Sequence, residues 1–310
     1  MFKPELYAKG SLTHEQLGVK ESIGCDGLEV QLLSELIQDR VNGLYHKATD
    51  VFNLEDLSIH NIKVVHAPLI PGQGDVTLEV LVDNKDIALL TQIFKIADYF
   101  GKIYNRNTII VLHSESYYDA MVDIGGTWSR ITMCLRNLLN TYKNVEVAIE
   151  NVSPFRGIGK GKNLHLANNF GFDNIEIVEH LREELGTDKI GTCLDTCHAM
   201  LTNKYITGVY KAVGDVPIED FSLERYFYEN TDYIKLIHLS NIHGSGYGKG
   251  RHGVPFNDST KDVLDDILTL YHNYMYKCPI TLEVEEYDYA VCNGYRKTKE
   301  LVDEWYSVQV

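Results

Sequence analysis

The sequence predicts an α/β chain folded as a single (β/α)8 TIM barrel of parallel strands spanning residues 1–310. Three observations carry that prediction. Short apolar runs rich in Val, Ile and Leu recur at broadly even spacing. The runs are continuous rather than alternating, as strands buried on both faces require. Segments of helical periodicity lie between them, so strand and helix alternate about eight times. A doubly wound open sheet shares this alternation and is the alternative at this level.

The strand series opens with a weak run, Leu6-Tyr7-Ala8, and continues with strong runs at 27–33, 63–69, 108–113, 145–152, 190–199, 233–241 and 279–286. Over 86–100 an apolar stripe of Ile87, Leu90, Ile93, Phe94, Ala97 and Phe100 predicts a helix stopping at Gly101. A second helical pattern over 174–185 ends at Gly186. Ser259 is expected to cap a third, with Val263, Ile267, Leu270 and Tyr271 on one face. Barrels of this kind take about 250 residues, so the surplus is assigned to long loops near 71–84, 153–169 and 201–220.

At 44% hydrophobic and 24% charged, with 7 prolines in 310 residues, the chain is neither disordered nor collagen-like. A formal charge of −15 argues against non-specific polyanion binding. It does not exclude nucleic acid, because a local cleft or a bound metal can supply positive charge. None of the six cysteines forms a Cys-x-x-Cys pair, and a chain of this length needs no disulfide staples. Met1-Phe2-Lys3-Pro4-Glu5 has no apolar h-region, and no window approaches the ~18 apolar residues of a membrane span. A cytoplasmic protein with no membrane partner is expected.

The strands share a chemical peculiarity at their C-terminal ends. They finish in Val65-His66, Leu112-His113, Ile149-Glu150, Leu194-Asp195 followed by His198, Ile237-His238, and Leu282-Glu283. A parallel barrel gathers these ends on the face where active sites form. Any one such histidine could be an ordinary hydrogen-bonded core residue. Six consecutive strands ending this way point to a divalent-cation site, since a metal offsets charges too costly to bury alone. Ligands shared between neighbours would allow more than one ion. Cys193 and Cys197 flank Asp195 and are expected to pack rather than ligate. The segment 244–250, Gly-Ser-Gly-Tyr-Gly-Lys-Gly, has no Ser or Thr after its Lys and follows strand seven, so it suits a loop over the site better than a phosphate loop. No G-x-S-x-G elbow signals a serine nucleophile.

The order His66, His113, Glu150, Asp195, His198, His238, His252, Glu283 resembles the xylose-isomerase-like barrels in their endonuclease IV branch, AP endonuclease family 2. The stretch 193–199, Cys-Leu-Asp-Thr-Cys-His-Ala, carries the resemblance most specifically, with support from Ile149-Glu150-Asn151 and Gly250-Arg251-His252. The resemblance implies two or three divalent ions, usually zinc, cutting a phosphodiester in damaged DNA or a related substrate. By that analogy His66, His113 and Glu150 hold one ion. Glu150 bridges to a second, completed by Asp195, His238 and Glu283, and His198 and His252 hold a third. Three positions depart from the branch. Gly250 stands where an Asp ligand is expected, Leu69-Ile70 where an aromatic is, and the opening Tyr7-Ala8-Lys9-Gly10 is unlike the branch's own. The third position is therefore expected to be weakly held, filled by water, substrate phosphate or a carboxylate such as Asp258, or empty; the alternative is that the loop over 243–255 takes another path and His252 is no ligand. The same superfamily contains sugar and sugar-phosphate isomerases and epimerases, which use Glu-Asp-His-Glu around one Mn, Mg or Co ion and two carboxylates as bases. Glu150, Asp195, His238 and Glu283 satisfy that template, with His198 and Arg251 then contacting substrate. Glu150 and Glu283 are expected to be indispensable under either reading, and the expected catalytic set is Glu150, Glu283, His198 and Arg251.

Overall fold

A computed structural model of the chain describes residues 2–39, 42–70, 74–75, 87–113, 127–152, 155–156, 163–164, 171–209, 212–213, 216–217, 222–243, 251–274 and 277–308. Its centre is a closed barrel of eight parallel strands: β1 Leu6–Ser11, β2 Gly27–Gln31, β3 Ile62–His66, β4 Thr108–His113, β5 Val145–Glu150, β6 Ile190–Asp195, β7 Ile234–Leu239 and β8 Ile280–Leu282. Each strand pairs with the next in sequence. Closure comes from β8 on β1, with Leu6 opposite Ile280 and Ala8 opposite Leu282. This is the predicted TIM barrel, and it excludes the open sheet.

Helices α1 His14–Glu21, α2 Ile87–Ile103, α3 Thr127–Thr141, α4 Gly171–Leu185, α5 Thr196–Val209, α6 Leu223–Asn230, α7 Lys261–Tyr274 and α8 Asn293–Val308 surround it. Between β2 and β3 the described residues hold a small antiparallel hairpin, Ile37–Asp39 with Leu44–Tyr45, and two short helical turns, Ala48–Val51 and Leu54–Leu57. The apolar stripe of α2 (Leu90, Ile93, Phe94, Ala97, Phe100) is fully buried. Each large side chain so placed contributes about 1.5–3 kcal/mol.

Four expectations need correction. The run 190–199 is not one strand: it ends at Asp195, whose Oδ1 accepts the His198 backbone N–H at 2.6 Å and so caps α5. Residues 201–209 continue that helix rather than forming a loop. Gly101 does not end α2. A Cβ there would lie 2.3 Å from the Asn144 carbonyl oxygen, so the glycine permits close packing inside the helix. Asn257, not Ser259, provides the cap before α7. It accepts the Ser259 N–H at 2.9 Å, and Thr260 Oγ1 accepts the Asn257 N–H at 3.0 Å. Gly186, with φ +61°, follows α4 as anticipated. The expected loops over 71–84 and 153–169 lie outside the described residues, apart from the hairpin strands at 74–75, 155–156 and 163–164.

The strand period of two decides what fills the barrel. Tyr7, Val64, Val111, Ala148, Cys193 and Leu236 form an apolar layer separate from the large core between barrel and helices. Two residues further along the same strands stand Lys9, His66, His113, Glu150, Asp195 and His238. All six are buried. The polar layer thus caps the apolar one at the C-terminal mouth. Among the described residues no helix is long and apolar enough to cross a membrane.

Candidate metal centre

Glu150 occupies the middle of the mouth. Its Oε2 lies 3.0 Å from His66 Nε2 and 3.2 Å from His113 Nε2, and its Oε1 lies 3.1 Å from His238 Nδ1. One carboxylate is therefore shared between two candidate ligand groups, His66–His113–Glu150 and Glu150–Asp195–His238–Glu283. The donor atoms of each group lie within 4.8 Å of one another. His66 and Glu283, on β3 and just past β8, face the same pocket through His238, whose ring stacks on His66 at 5.8 Å.

Surrounding groups fix these side chains. His66 Nδ1 pairs with the Ala67 carbonyl at 2.9 Å, which leaves Nε2 facing Glu150. The Asn151 amide clamps the end of β6: Oδ1 accepts the Asp195 N–H at 2.7 Å and Nδ2 donates to the Asp195 carbonyl at 3.0 Å. The Asn151 carbonyl pairs with His198 Nδ1 at 2.9 Å. Thr196 Oγ1 donates to the His238 carbonyl at 3.1 Å, tying the start of α5 to β7.

Two charged residues join the centre that the strand-end pattern did not single out. Glu29, on β2, is fully buried and lies 3.0 Å from His238 Nε2. Lys9, on β1, lies 2.8 Å from Glu283 and 3.3 Å from Glu29. Alternation would have flagged both, since each sits two residues past an inward position on its strand. β1 was expected to end at Ala8, which hid Lys9, and Glu29 is surrounded by Leu28 and Val30 in a run read as wholly apolar.

A cation fits this donor set. Among the described residues, Glu29, Glu150, Asp195 and Glu283 bring four carboxylates together against one lysine ammonium, that of Lys9. Oxygens of Glu150 and Glu283 both approach His238 Nδ1, at 3.1 and 2.6 Å, although one ring nitrogen has at most one proton to give. Burial, with Glu283 and Glu150 beside it, pushes the Asp195 carboxyl up to about 7. Burial also opposes ionisation of Glu150, but His238 and His113 outweigh it and hold that carboxyl well below its usual range. In Glu283, Lys9 and His238 overcome burial in the same way. A dication would relieve the repulsion that Asp195 registers.

A further group stands at the rim. His198, in the first turn of α5, meets His252 on the hairpin Asn241–His243/Arg251–Val254, with ring centroids 5.6 Å apart. Cys197 lies beside both, with donor atoms again within 4.8 Å. Burial raises the Cys197 thiol well above its ordinary range, Asp195 adds to that, and the Gly253 N–H opposes it. Asp258 does not reach this group: it is 84% exposed and pairs with Lys297 at 2.9 Å. Arg251 opens the second hairpin strand, but its side chain and residues 244–250, Gly250 included, lie outside those described.

Fold and site together define a (β/α)8 barrel with candidate divalent-cation positions at its C-terminal mouth. The chain belongs to the xylose isomerase-like TIM barrels of AP endonuclease family 2, whose profile matches residues 21–306. It is 22% identical over 189 residues to a probable endonuclease 4 of Metamycoplasma arthritidis (strain 158L3-1), a match covering 61% of this chain and 56% of that relative's length. Similar folds include the 3-keto-D-glucoside 4-epimerase YcjR of E. coli, with TM-score 0.56, 14% identity and coverage of 97% of this chain and 100% of that one. The IOLI protein, solved with a bound zinc atom, gives 0.56 at 15% identity over 99% of both chains. An L-ribulose 3-epimerase gives 0.55 at 13% over 99% of this chain and 95% of its own. These likenesses establish the shared fold.

Proposed function

We propose that the protein is a divalent-cation-dependent phosphodiester hydrolase, acting on DNA at abasic sites or on a related phosphodiester. The carrying observation is Glu150, whose Oε2 lies against His66 and His113 while its Oε1 lies against His238 of a second ligand group. His66 and His113 would hold one cation with Glu150 Oε2. Asp195, His238 and Glu283 would hold a second with Glu150 Oε1. Cations there would supply positive charge to a phosphoryl group and lower the pKa of water. The chain's own part is positional: Asn151 orients Asp195 and His198, and Lys9 keeps Glu283 ionised and aimed inward. The probable endonuclease 4 relative supports this reading.

A specific observation favours a second reading. Glu150, Asp195, His238 and Glu283 form a complete four-residue group without His66 or His113, and epimerases are among the similar folds. In a sugar isomerase or epimerase one Mn, Mg or Co ion would sit there, with Glu150 and Glu283 moving protons. That reading leaves His66 and His113 without a task. Metal analysis of the purified chain after dialysis separates the two. Two or more tightly held ions per chain support hydrolysis, and a single ion supports isomerisation.

A further inference from the structure

We infer that Lys9 binds the substrate itself, its ammonium donating to a non-bridging oxygen of an anionic phosphoryl group. This rests on the hydrolase reading and deepens it, by naming a side chain that grips the phosphate besides the cations. Beside the candidate metal centre opens a cavity of about 490 Å³, whose lining includes Lys9, Gln31, His252, Glu283, Tyr289 and Tyr295. Glu283 belongs to both, so cavity and centre are continuous. Among the described residues Lys9 is the one lysine or arginine in that lining. An ammonium carries three N–H donors. One goes to Glu283 Oε1 at 2.8 Å and a second to Glu29 Oε1 at 3.3 Å. The third has no acceptor among the described residues, and Lys9 keeps 8% exposure. Two other polar groups of the lining are already engaged. Gln31 Nε2 donates to the Leu32 and Ala67 carbonyls at 2.9 and 2.8 Å. The Tyr295 hydroxyl donates to the Lys9 carbonyl at 2.9 Å, which also fixes the lysine's backbone.

Charge balance says what the third donor meets. Glu29, Glu150, Asp195 and Glu283 supply four negative charges when ionised, and two dications at the proposed positions cancel them. The Lys9 ammonium is then surplus positive charge in a poorly hydrated place, and an anion entering the cavity removes that cost. A single dication would leave the same residues net negative and favour a neutral ligand. Lys9 thus ties an anionic substrate to the two-cation state. In hydrolysis the attacking water supplies the new P–O bond and the proton that the leaving oxygen takes up, so Lys9 keeps its own proton throughout. Its part is a charge-assisted hydrogen bond to the oxygen on which negative charge grows.

The test uses the whole chain carrying only its tightly held zinc, titrated with inorganic phosphate in a calorimeter. Wild type should bind phosphate. Chelator-stripped protein should not, because Glu283 and Glu285 then face the cavity without the cations. Lys9→Met should keep the wild-type ion count yet bind phosphate about 10–100-fold more weakly. A lysine with a purely structural part would leave phosphate affinity unchanged once zinc has restored the fold. Should Lys9→Met fail to fold even with zinc, the ammonium ¹⁵N resonance of Lys9 in labelled wild type should shift as phosphate is added. A wild type that binds no phosphate, equal affinity in Lys9→Met, or an unmoved resonance overturns the contact. Cleavage of abasic-site DNA is measured on the same samples. Cleavage with equal phosphate affinity in both proteins defeats the Lys9 contact alone, and phosphate held through Lys9 without cleavage defeats the hydrolase reading alone.

Discussion

Lys9 and Glu283, 274 residues apart in sequence, form an ion pair of 2.8 Å where β8 closes on β1. Lys9 is buried, and its ammonium is held charged against desolvation by Glu283, Glu29 and Glu150. In metal-free protein it is the one cationic lysine or arginine among the centre's described residues. Lys9→Met should therefore lower the stability of chelator-treated protein by about 2–4 kcal/mol, because it leaves buried carboxylates uncompensated. Zinc should recover most of that loss, since a dication takes over the same compensation. Urea unfolding of both proteins, with and without zinc, checks it. An equal loss in both states would mean that Lys9 and the cation do not share those carboxylates.

Glu150→Gln retains shape and removes the shared charge. Metal content should fall by at least one ion, and turnover by more than the ~10–100-fold typical of losing an outer-sphere partner. Elemental analysis and cleavage rates on the same preparation measure both. Full metal occupancy in this variant would remove Glu150 from its bridging place.

Asn151 contacts both Asp195 and His198 but is not itself a member of any candidate ligand group. Asn151→Ala should weaken metal binding about 10–100-fold at the Asp195 and rim positions. The ion between His66 and His113 should be least affected. Competitive chelator titration resolves these as separate steps, and a uniform weakening of all steps would indicate general loosening instead.

The positions of these residues were unequally legible in the sequence. His66, His113, Glu150, Asp195 and His238 could be read because each is a polar residue closing a long apolar run, and a parallel barrel leaves one place for such residues. Cys197 was harder. Its position depends on Asp195 ending the strand and capping a helix at once, whereas a run of ten residues looked like continuous strand. Lys9 meets Glu283 only because the barrel closes, and contacts between the two ends of a chain leave no local pattern. The capping of α7 by Asn257 was missed for a simpler reason: Ser259 is also a good cap, and a single 3-10 turn shifts the choice by two residues.

Lys20 offers a test of the packing away from the centre. It is fully buried with its ammonium 3.1 Å from the centre of the Tyr295 ring, and burial lowers its pKa to about 8. Between about pH 8 and the ordinary lysine value near 10.5 the unfolded chain binds more protons than the folded one, so this group makes stability rise with pH there. Lys20→Met should stabilise the protein by about 1–3 kcal/mol at pH 7, the tyrosine ring offsetting part of the burial penalty. The gain should disappear above pH 10.5. Thermal melts across pH 7–11 read the difference, and a destabilised variant at pH 7 would show that the ring contact dominates.

The central claim, hydrolysis at a Glu150-centred pair of cations, is tested most directly by incubating zinc-loaded protein with duplex DNA bearing one abasic site. The account predicts a nick at that site, abolished by chelator and by Glu150→Gln. Intact DNA and intact simple phosphodiesters, alongside epimerisation of a ketose by the same preparation, would contradict it.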